Sequence, residues 1–205
     1  MKKYNIEVGV ILMKIGIFGG SFNPPHNMHT DIANYIINQQ YVDKVVFVPT
    51  GSKYAYKNNL VEEEHRLNML QILSDKNKNI MVSDYELKSE VVYTIDTLKY
   101  FKELYPGDEI YFICGLDNFS YIEKWKNGEE ILNNYKIIVI NRDGNNLNEL
   151  LDKFNEYKEN IIVSNMEMKD ISSTYIRENI EDIAKVRDFI DKDVLRYIQE
   201  NNLYR

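Results

Sequence analysis

Apolar residues in this chain fall into short runs that alternate with stretches of helical spacing. The run over 15–18 ends at Gly19 and Gly20, and Ile32, Ala33, Ile36 and Ile37 then recur at three- and four-residue intervals. That pattern predicts a strand, a tight glycine turn and a helix. Further strands are expected over 44–48, closed by Pro49 and Gly51, and over 80–82, 109–114, 136–140 and 161–163. The run over 109–114 is continuously apolar, which suits a central strand. Helical segments lie between them. One opens at Glu62, Glu63 and Glu64, whose charges suit a first helical turn, with Leu67, Leu70 and Leu73 as its buried stripe. A second has Thr94 as N-cap and runs through Tyr105. Others are expected over 147–157, from Ser172 or Ser173 through Asn179, and over 191–201. Alternating strands and helices predict an α/β fold: a Rossmann-like open parallel sheet with helices on both faces and right-handed crossovers.

The length of 205 residues suffices for one domain with a sizeable core. Met13-Lys14-Ile15-Gly16 reads as a natural start, so residues 13–205 are expected to form that domain and 1–12 an N-terminal extension. Val8 to Leu12 are apolar enough to lengthen the first strand instead. A net charge of −7 with no basic block argues against a nucleic-acid partner, so an anionic ligand must be met by local donors. Cys114 is the single cysteine, which forbids an internal disulfide and suits a reducing cytoplasm; its simplest role is a small buried hydrophobe. No apolar stretch approaches the ~20 residues of a membrane span, and no signal-peptide pattern is present. The sixteen tyrosines are scattered, as core and surface residues are, rather than grouped as a stacking platform. Oligomeric state is left open, a homo-oligomer included.

The chemistry concentrates in the stretch from Ile15 to His29. Gly19 and Gly20 let a ligand approach the backbone and allow unusual dihedrals. The unpaired N–H groups at the head of the next helix favour an anion, phosphate above all. His26 and His29 stand at that helix start, three apart and on one face. Two imidazole donors there can hold phosphate oxygens and stabilise charge that develops during phosphoryl transfer. A glycine pair alone is compatible with an ordinary turn, and a histidine pair alone with a metal site or two polar surface residues. Strand, Gly-Gly-Ser-Phe and His-x-x-His in this order are far more specific.

The segment Gly19-Gly20-Ser21-Phe22-Asn23-Pro24-Pro25-His26-Asn27-Met28-His29 resembles the signature of the nucleotidyltransferase superfamily of small α/β adenylyl- and cytidylyltransferases. Their pattern is Gly-Gly-Ser/Thr-Phe-Asp/Asn-Pro-x-His-x-Gly-His. Met28 departs from it, where the superfamily has glycine; its side chain must point away from the nucleotide or narrow the pocket. Ile171-Ser172-Ser173-Thr174-Tyr175-Ile176-Arg177 matches the second signature, Ile-Ser-Ser-Thr-x-Ile-Arg. Capping alone explains Ser172 or Ser173, but with Arg177 one turn on, the segment also suits a second anion site. Tyr93-Thr94-Ile95-Asp96-Thr97-Leu98 resembles the acceptor segment of the nicotinate mononucleotide adenylyltransferases, with Val92 replacing their serine. Gly115-Leu116-Asp117 resembles their Gly-x-Asp at the end of a central strand, and Trp125 stands where they have a tryptophan. Taken by themselves, these last residues read equally as a turn and a half-buried packing tryptophan. Lys53 and Lys57 lie in the loop after the second strand, where that family carries Pro-Pro-His-Lys; two solvated lysines explain them as well.

The resemblance implies a nucleotidyltransferase fold and transfer of the adenylyl group of ATP to nicotinate mononucleotide, with pyrophosphate released. His26 and His29 would hold triphosphate oxygens. Gly19, Gly20, Ser21 and Phe22 would support the α-phosphate region, and Gly115 and Asp117 the adenosine. Ile171, Ser172, Ser173 and Arg177 would hold the outer phosphates. Lys57, Tyr93, Thr94 and Trp125 would select the acceptor. Mg²⁺ would arrive on the ATP phosphates, no dedicated metal site being visible. Another acceptor within the superfamily, or a nucleotide-binding regulator without turnover, fits the same residues. His65 and Arg66 also resemble the family, Arg66 in a structural role and His65 outside catalysis.

Overall fold

The computed structural model describes residues 12–51, 60–88, 92–141, 147–164, 166 and 171–205. Six strands form one parallel sheet: β1 (Lys14–Gly20), β2 (Lys44–Pro49), β3 (Ile80–Val82), β4 (Glu109–Gly115), β5 (Lys136–Ile140) and β6 (Ile161–Ser164). Their order is β3-β2-β1-β4-β5-β6. Chain order reverses between β1 and β4, and in sheets of this kind ligands bind in the crevice at the carboxyl ends of such neighbours. Gly19, Gly20 and Gly115 all lie at that edge.

Helices α1 (Asn27–Asn38), α2 (Glu63–Ser74), α3 (Thr94–Leu104), α4 (Leu116–Phe119), α5 (Gly128–Asn134), α6 (Leu147–Lys153), α7 (Ser173–Glu178), α8 (Ile183–Val186) and α9 (Lys192–Glu200) pack around the sheet. Strand alternation divides the core. Ile15, Ile17, Val46, Val48, Phe112 and Cys114 face one side with Ile95, Leu98 and Phe101 of α3. Val45, Phe47, Tyr111 and Ile113 face the other with Ile32, Ala33 and Ile36 of α1. Helices therefore cover both faces, as the strand pattern predicts. A third cluster joins Met69 and Leu73 of α2 to Ile176 of α7 and Val194, Leu195 and Ile198 of α9. Cys114 is buried among apolar side chains, and burial pushes its thiol pKa up.

Three expectations need correcting. The buried stripe of α2 is Arg66, Met69, Leu70 and Leu73, with Leu67 only half-buried. The N-cap of α3 is Tyr93, and Thr94 is its first helical residue. Asp96 does the capping, its Oδ2 accepting the Tyr93 N–H at 3.2 Å. The segment expected as one helix over 147–157 breaks after Lys153 and continues as a 3₁₀ turn, Asn155–Asn160. Among the described residues, no helix is long and apolar enough to cross a membrane.

Candidate active site

The carboxyl end of β1 leads into a turn whose handedness comes from Phe22, not from the glycines. Phe22 has φ 46°, whereas neither Gly19 nor Gly20 has a positive φ. The two glycines answer to space instead. A Cβ on Gly20 would press the Phe22 ring at 3.2 Å, and one on Gly19 would meet nothing closer than the Val48 carbonyl at 4.0 Å. The face of Gly19 is thus open for close approach. Phe22 itself is 1% exposed and packs edge-on to Phe47 and His29, so its side chain supports the site from beneath rather than touching a ligand.

His26 is the N-cap of α1, with extended backbone, and His29 lies in the first turn. Their ring centroids are 3.8 Å apart with 31° between planes. His29 Nδ1 accepts the His26 N–H at 3.1 Å, and His29 N–H donates to the His26 carbonyl at 2.9 Å. His26 is buried and His29 half-buried, so His29 is the more accessible of the pair. Met28 is 1% exposed and points into the core beside Phe22 and Ile32, away from the site. The helix start offers fewer backbone donors than expected: the Asn27 N–H is taken by the Phe189 carbonyl at 2.9 Å.

The turn between β1 and α1 is braced from distant parts of the chain. Arg66, fully buried, donates from Nη1 to the Ser21 carbonyl at 3.0 Å and from Nε to the Val61 carbonyl at 3.2 Å. Its Nη2 is buried without a hydrogen-bond partner among the described residues. Burial pushes its pKa below the ordinary arginine value, with Glu63 and Tyr204 pulling the other way. Arg177 donates from Nη1 to the Asn23 carbonyl at 2.7 Å and from Nη2 to Thr174 Oγ1 at 3.1 Å. Ser173 Oγ donates to the Pro24 carbonyl at 2.8 Å. Ser172 caps α7, its Oγ accepting the Tyr175 N–H at 3.1 Å. The two signature segments therefore meet directly. Helix α7 has only six residues and so a weak dipole, and with the Ser173 hydroxyl proton given to Pro24, the Ser172 hydroxyl and Arg177 are its remaining donors of weight. Ile171 turns its side chain into the third core cluster.

At the end of β4, Gly115 has φ −71° and ψ 157°, a conformation open to any residue. A Cβ there would meet Asp117 Oδ1, so any larger residue would have to displace that carboxylate. Asp117 sits in the first turn of α4 with its carboxylate folded back over the strand end. The residues around Tyr93 form a separate group. Lys126 Nζ lies 4.3 Å from the centre of the Tyr93 ring and 3.4 Å from Asp96 Oδ2, and Trp125 packs edge-on to Phe112 of β4 at 6.0 Å. Lys53 and Lys57 lie outside the described residues. The residue pattern gave no notice of Asn23, Lys126, Phe189 or Tyr204. Asn23 was visible only as part of the signature, and the other three carry no local motif.

Residues 17–179 match the cytidylyltransferase-like family model. The chain belongs to that family. Within it, this cytidylyltransferase-like chain is 39% identical over 197 residues to the protein of Carboxydothermus hydrogenoformans named "Probable nicotinate-nucleotide adenylyltransferase", covering 94% of this chain and 98% of that one. The Clostridium tetani protein of the same name is 32% identical over 200 residues, covering 95% and 100%. Among solved structures, Plasmodium falciparum nicotinic acid mononucleotide adenylyltransferase complexed with NaAD superposes with a TM-score of 0.79 at 27% identity, covering 94% of this chain and 97% of that one. The nucleotidyltransferase fold expected from the two signatures is the fold found.

Proposed function

We propose that this chain transfers the adenylyl group of ATP to nicotinate mononucleotide, giving deamido-NAD and pyrophosphate. The observation that carries this reading is the close pair His26 and His29 at the β1/β4 crevice, in a turn that Ser173 and Arg177 of the second signature brace. The names and coverage of the relatives support the same acceptor.

A phosphate oxygen of the acceptor attacks the α-phosphorus of ATP. The bond from that phosphorus to the oxygen bridging the β-phosphate breaks, and pyrophosphate leaves with its electron pair. No side-chain nucleophile is required; the protein's work is positioning and charge stabilisation. His26 and His29 hold triphosphate oxygens and meet the charge that builds in the transition state. Gly19 and Gly20 admit the α-phosphate to the backbone, with Ser21 beside it. Gly115 and Asp117 take the adenosine. Ser172, Ser173 and Arg177 serve the outer phosphates, and Tyr93, Thr94, Trp125 and Lys57 the acceptor. The donors around the histidines are imidazole, guanidinium and hydroxyl, a set suited to phosphate oxygens. Mg²⁺, which prefers oxygen ligands, fits best as a companion of the triphosphate. Residues 13–205 act as the catalytic domain, in the cytoplasm.

The test is pyrophosphate release with ATP and Mg²⁺, with nicotinate and nicotinamide mononucleotide offered side by side. Strong preference for the acid is expected. Turnover of the amide alone would move the chain to another acceptor, and ATP binding without pyrophosphate release would make it a regulator.

A further inference from the structure

The turn that presents His26 and His29 is held at nearly every carbonyl between Ser21 and Pro24. Ser21 is held by Arg66, Asn23 by Arg177 and Pro24 by Ser173. One further bond comes from the far end of the chain. Tyr204 Oη donates to Asn23 Oδ1 at 3.0 Å, across 181 positions of sequence. The same oxygen accepts the Val61 N–H at 3.2 Å. Asn23 is 3% exposed, so a partner lost from its side chain is costly.

The tail is bent to make this contact. Asn202 has φ 51° and Tyr204 φ 64°, two non-glycine residues in left-handed backbone within three positions. Such conformations are unfavourable for residues with a side chain, and they persist where the surroundings hold them. Between them Leu203 is buried in the third core cluster with Ile198 of α9. This anchors the tail and turns the phenol toward Asn23. Burial pushes the Tyr204 hydroxyl pKa well up, so the group remains a donor through the physiological range. A second tie runs in parallel: Phe189 accepts the Asn27 N–H at 2.9 Å, and Asp188 accepts Asn27 Nδ2 at 3.2 Å. The segment after α8 thus grips the turn on both sides of His26.

We propose that Tyr204 is a positioning residue for the histidine pair: its hydroxyl fixes Asn23, and Asn23 fixes the turn that carries His26 and His29. The proposal rests on the histidine roles given above. Tyr204 touches no reacting atom. Its effect comes through geometry, and a displacement of about 1 Å at reacting groups lowers a rate about 100-fold.

The experiment is the full chain with Tyr204→Phe, which keeps the ring and removes the hydroxyl, measured alone and together with His29→Ala. Turnover should fall about tenfold or more, with KM for ATP changed by less than about twofold. In the His29→Ala background the same substitution should cost much less, because the two residues act on one geometry. An equal loss in both backgrounds, or an unchanged kcat, overturns the proposal. A readout free of activity accompanies it. The imidazole signals of His26 and His29 in NMR spectra of the unliganded chain should move in Tyr204→Phe. Those of His65, held by Tyr197 at 2.9 Å, should stay. If His29→Ala turns over normally, the reading of the site fails rather than this inference, and the NMR signals alone decide: unmoved His26 and His29 resonances overturn it.

Discussion

His29 Nδ1 accepts the backbone N–H of His26 at 3.1 Å while the two ring centroids lie 3.8 Å apart, their planes tilted by 31°. An imidazole nitrogen that accepts carries no proton, so the neutral His29 ring bears its hydrogen on Nε2. The short-range bond therefore does two things: it orients the ring, and it selects the tautomer that can donate from the outer nitrogen. A phosphate oxygen is the natural acceptor for that donor. His29→Ala is expected to lower turnover about 10²–10³-fold, the usual loss when one stabilising donor is removed. Its unfolding midpoint should stay close to that of the parent, since His29 is only half-buried. Turnover near the parent value would remove His29 from the catalytic role.

Met28 stands where the superfamily pattern has glycine, and restoring that glycine should harm the protein. The side chain is buried against Phe22, Ile32 and Ile36. Met28→Gly leaves a cavity and places glycine within a helical turn, an expected loss of about 3–5 kcal/mol. KM for ATP should change little, because the side chain faces the core. Urea unfolding measures the first and steady-state kinetics the second. A clear gain in ATP affinity in Met28→Gly would mean that the methionine does narrow the pocket.

The strands were legible because apolar runs of β-branched residues bounded by glycine, proline and polar turns have few other uses. The stretches over 80–82 and 136–140 were read to the residue. The first signature was legible because its residues are local, and their order already encodes strand, turn and helix. Reading stopped where tertiary context decides. Arg66 completes the buried face of α2, yet a charged residue carries no apolar periodicity, and Leu67 carries the apolar signal beside it. Tyr93 rather than Thr94 became the cap of α3 because the aspartate at the third helical position reaches back to the Tyr93 N–H. Glycines at 19 and 20 suggest unusual dihedrals, but the left-handed position of the turn is Phe22. Tyr204 could not have been paired with Asn23 from any spacing rule, since the contact depends on how α9 docks.

Arg66 offers a direct test of the bracing around the turn. Its guanidinium satisfies the Ser21 and Val61 carbonyls from a fully buried position. Arg66→Met fills similar space but leaves two part-buried carbonyls without that donor, which costs up to about 1–3 kcal/mol each. The variant is expected to lose about 2–5 kcal/mol in urea unfolding. Turnover should fall more than KM rises, because Ser21 begins the turn that ends at His26. An unfolding midpoint equal to the parent's would show that the buried guanidinium is not holding those carbonyls.

Lys76 clamps α2 to the start of α9, with Nζ 2.5 Å from Asp191 Oδ1 and 2.7 Å from Asp193 Oδ2. Burial acts to raise the Asp191 pKa, but the hydrogen bonds from Lys76 and the Asp193 N–H outweigh it, leaving the carboxyl below its ordinary value. Asp193 is lowered chiefly by Lys76. Burial acts to lower the Lys76 pKa, and the two aspartates outweigh it, so the ammonium lies above its ordinary value. The signs set a window. Carboxyls with depressed folded pKa stabilise the fold above about pH 3.9 and lose that contribution as pH falls through the lower folded value. An ammonium with a raised folded pKa stabilises below about pH 10.4 and loses its contribution as pH rises through the higher folded value. The stability gap between the parent and Lys76→Met should therefore be widest from about pH 5 to pH 9 and close in stronger acid. Urea midpoints across that range test it. Lys76 is 40% exposed, so the gap should also shrink when salt is raised at neutral pH. A gap independent of both pH and salt would mean that Lys76 contributes through its aliphatic stem and not through its charge.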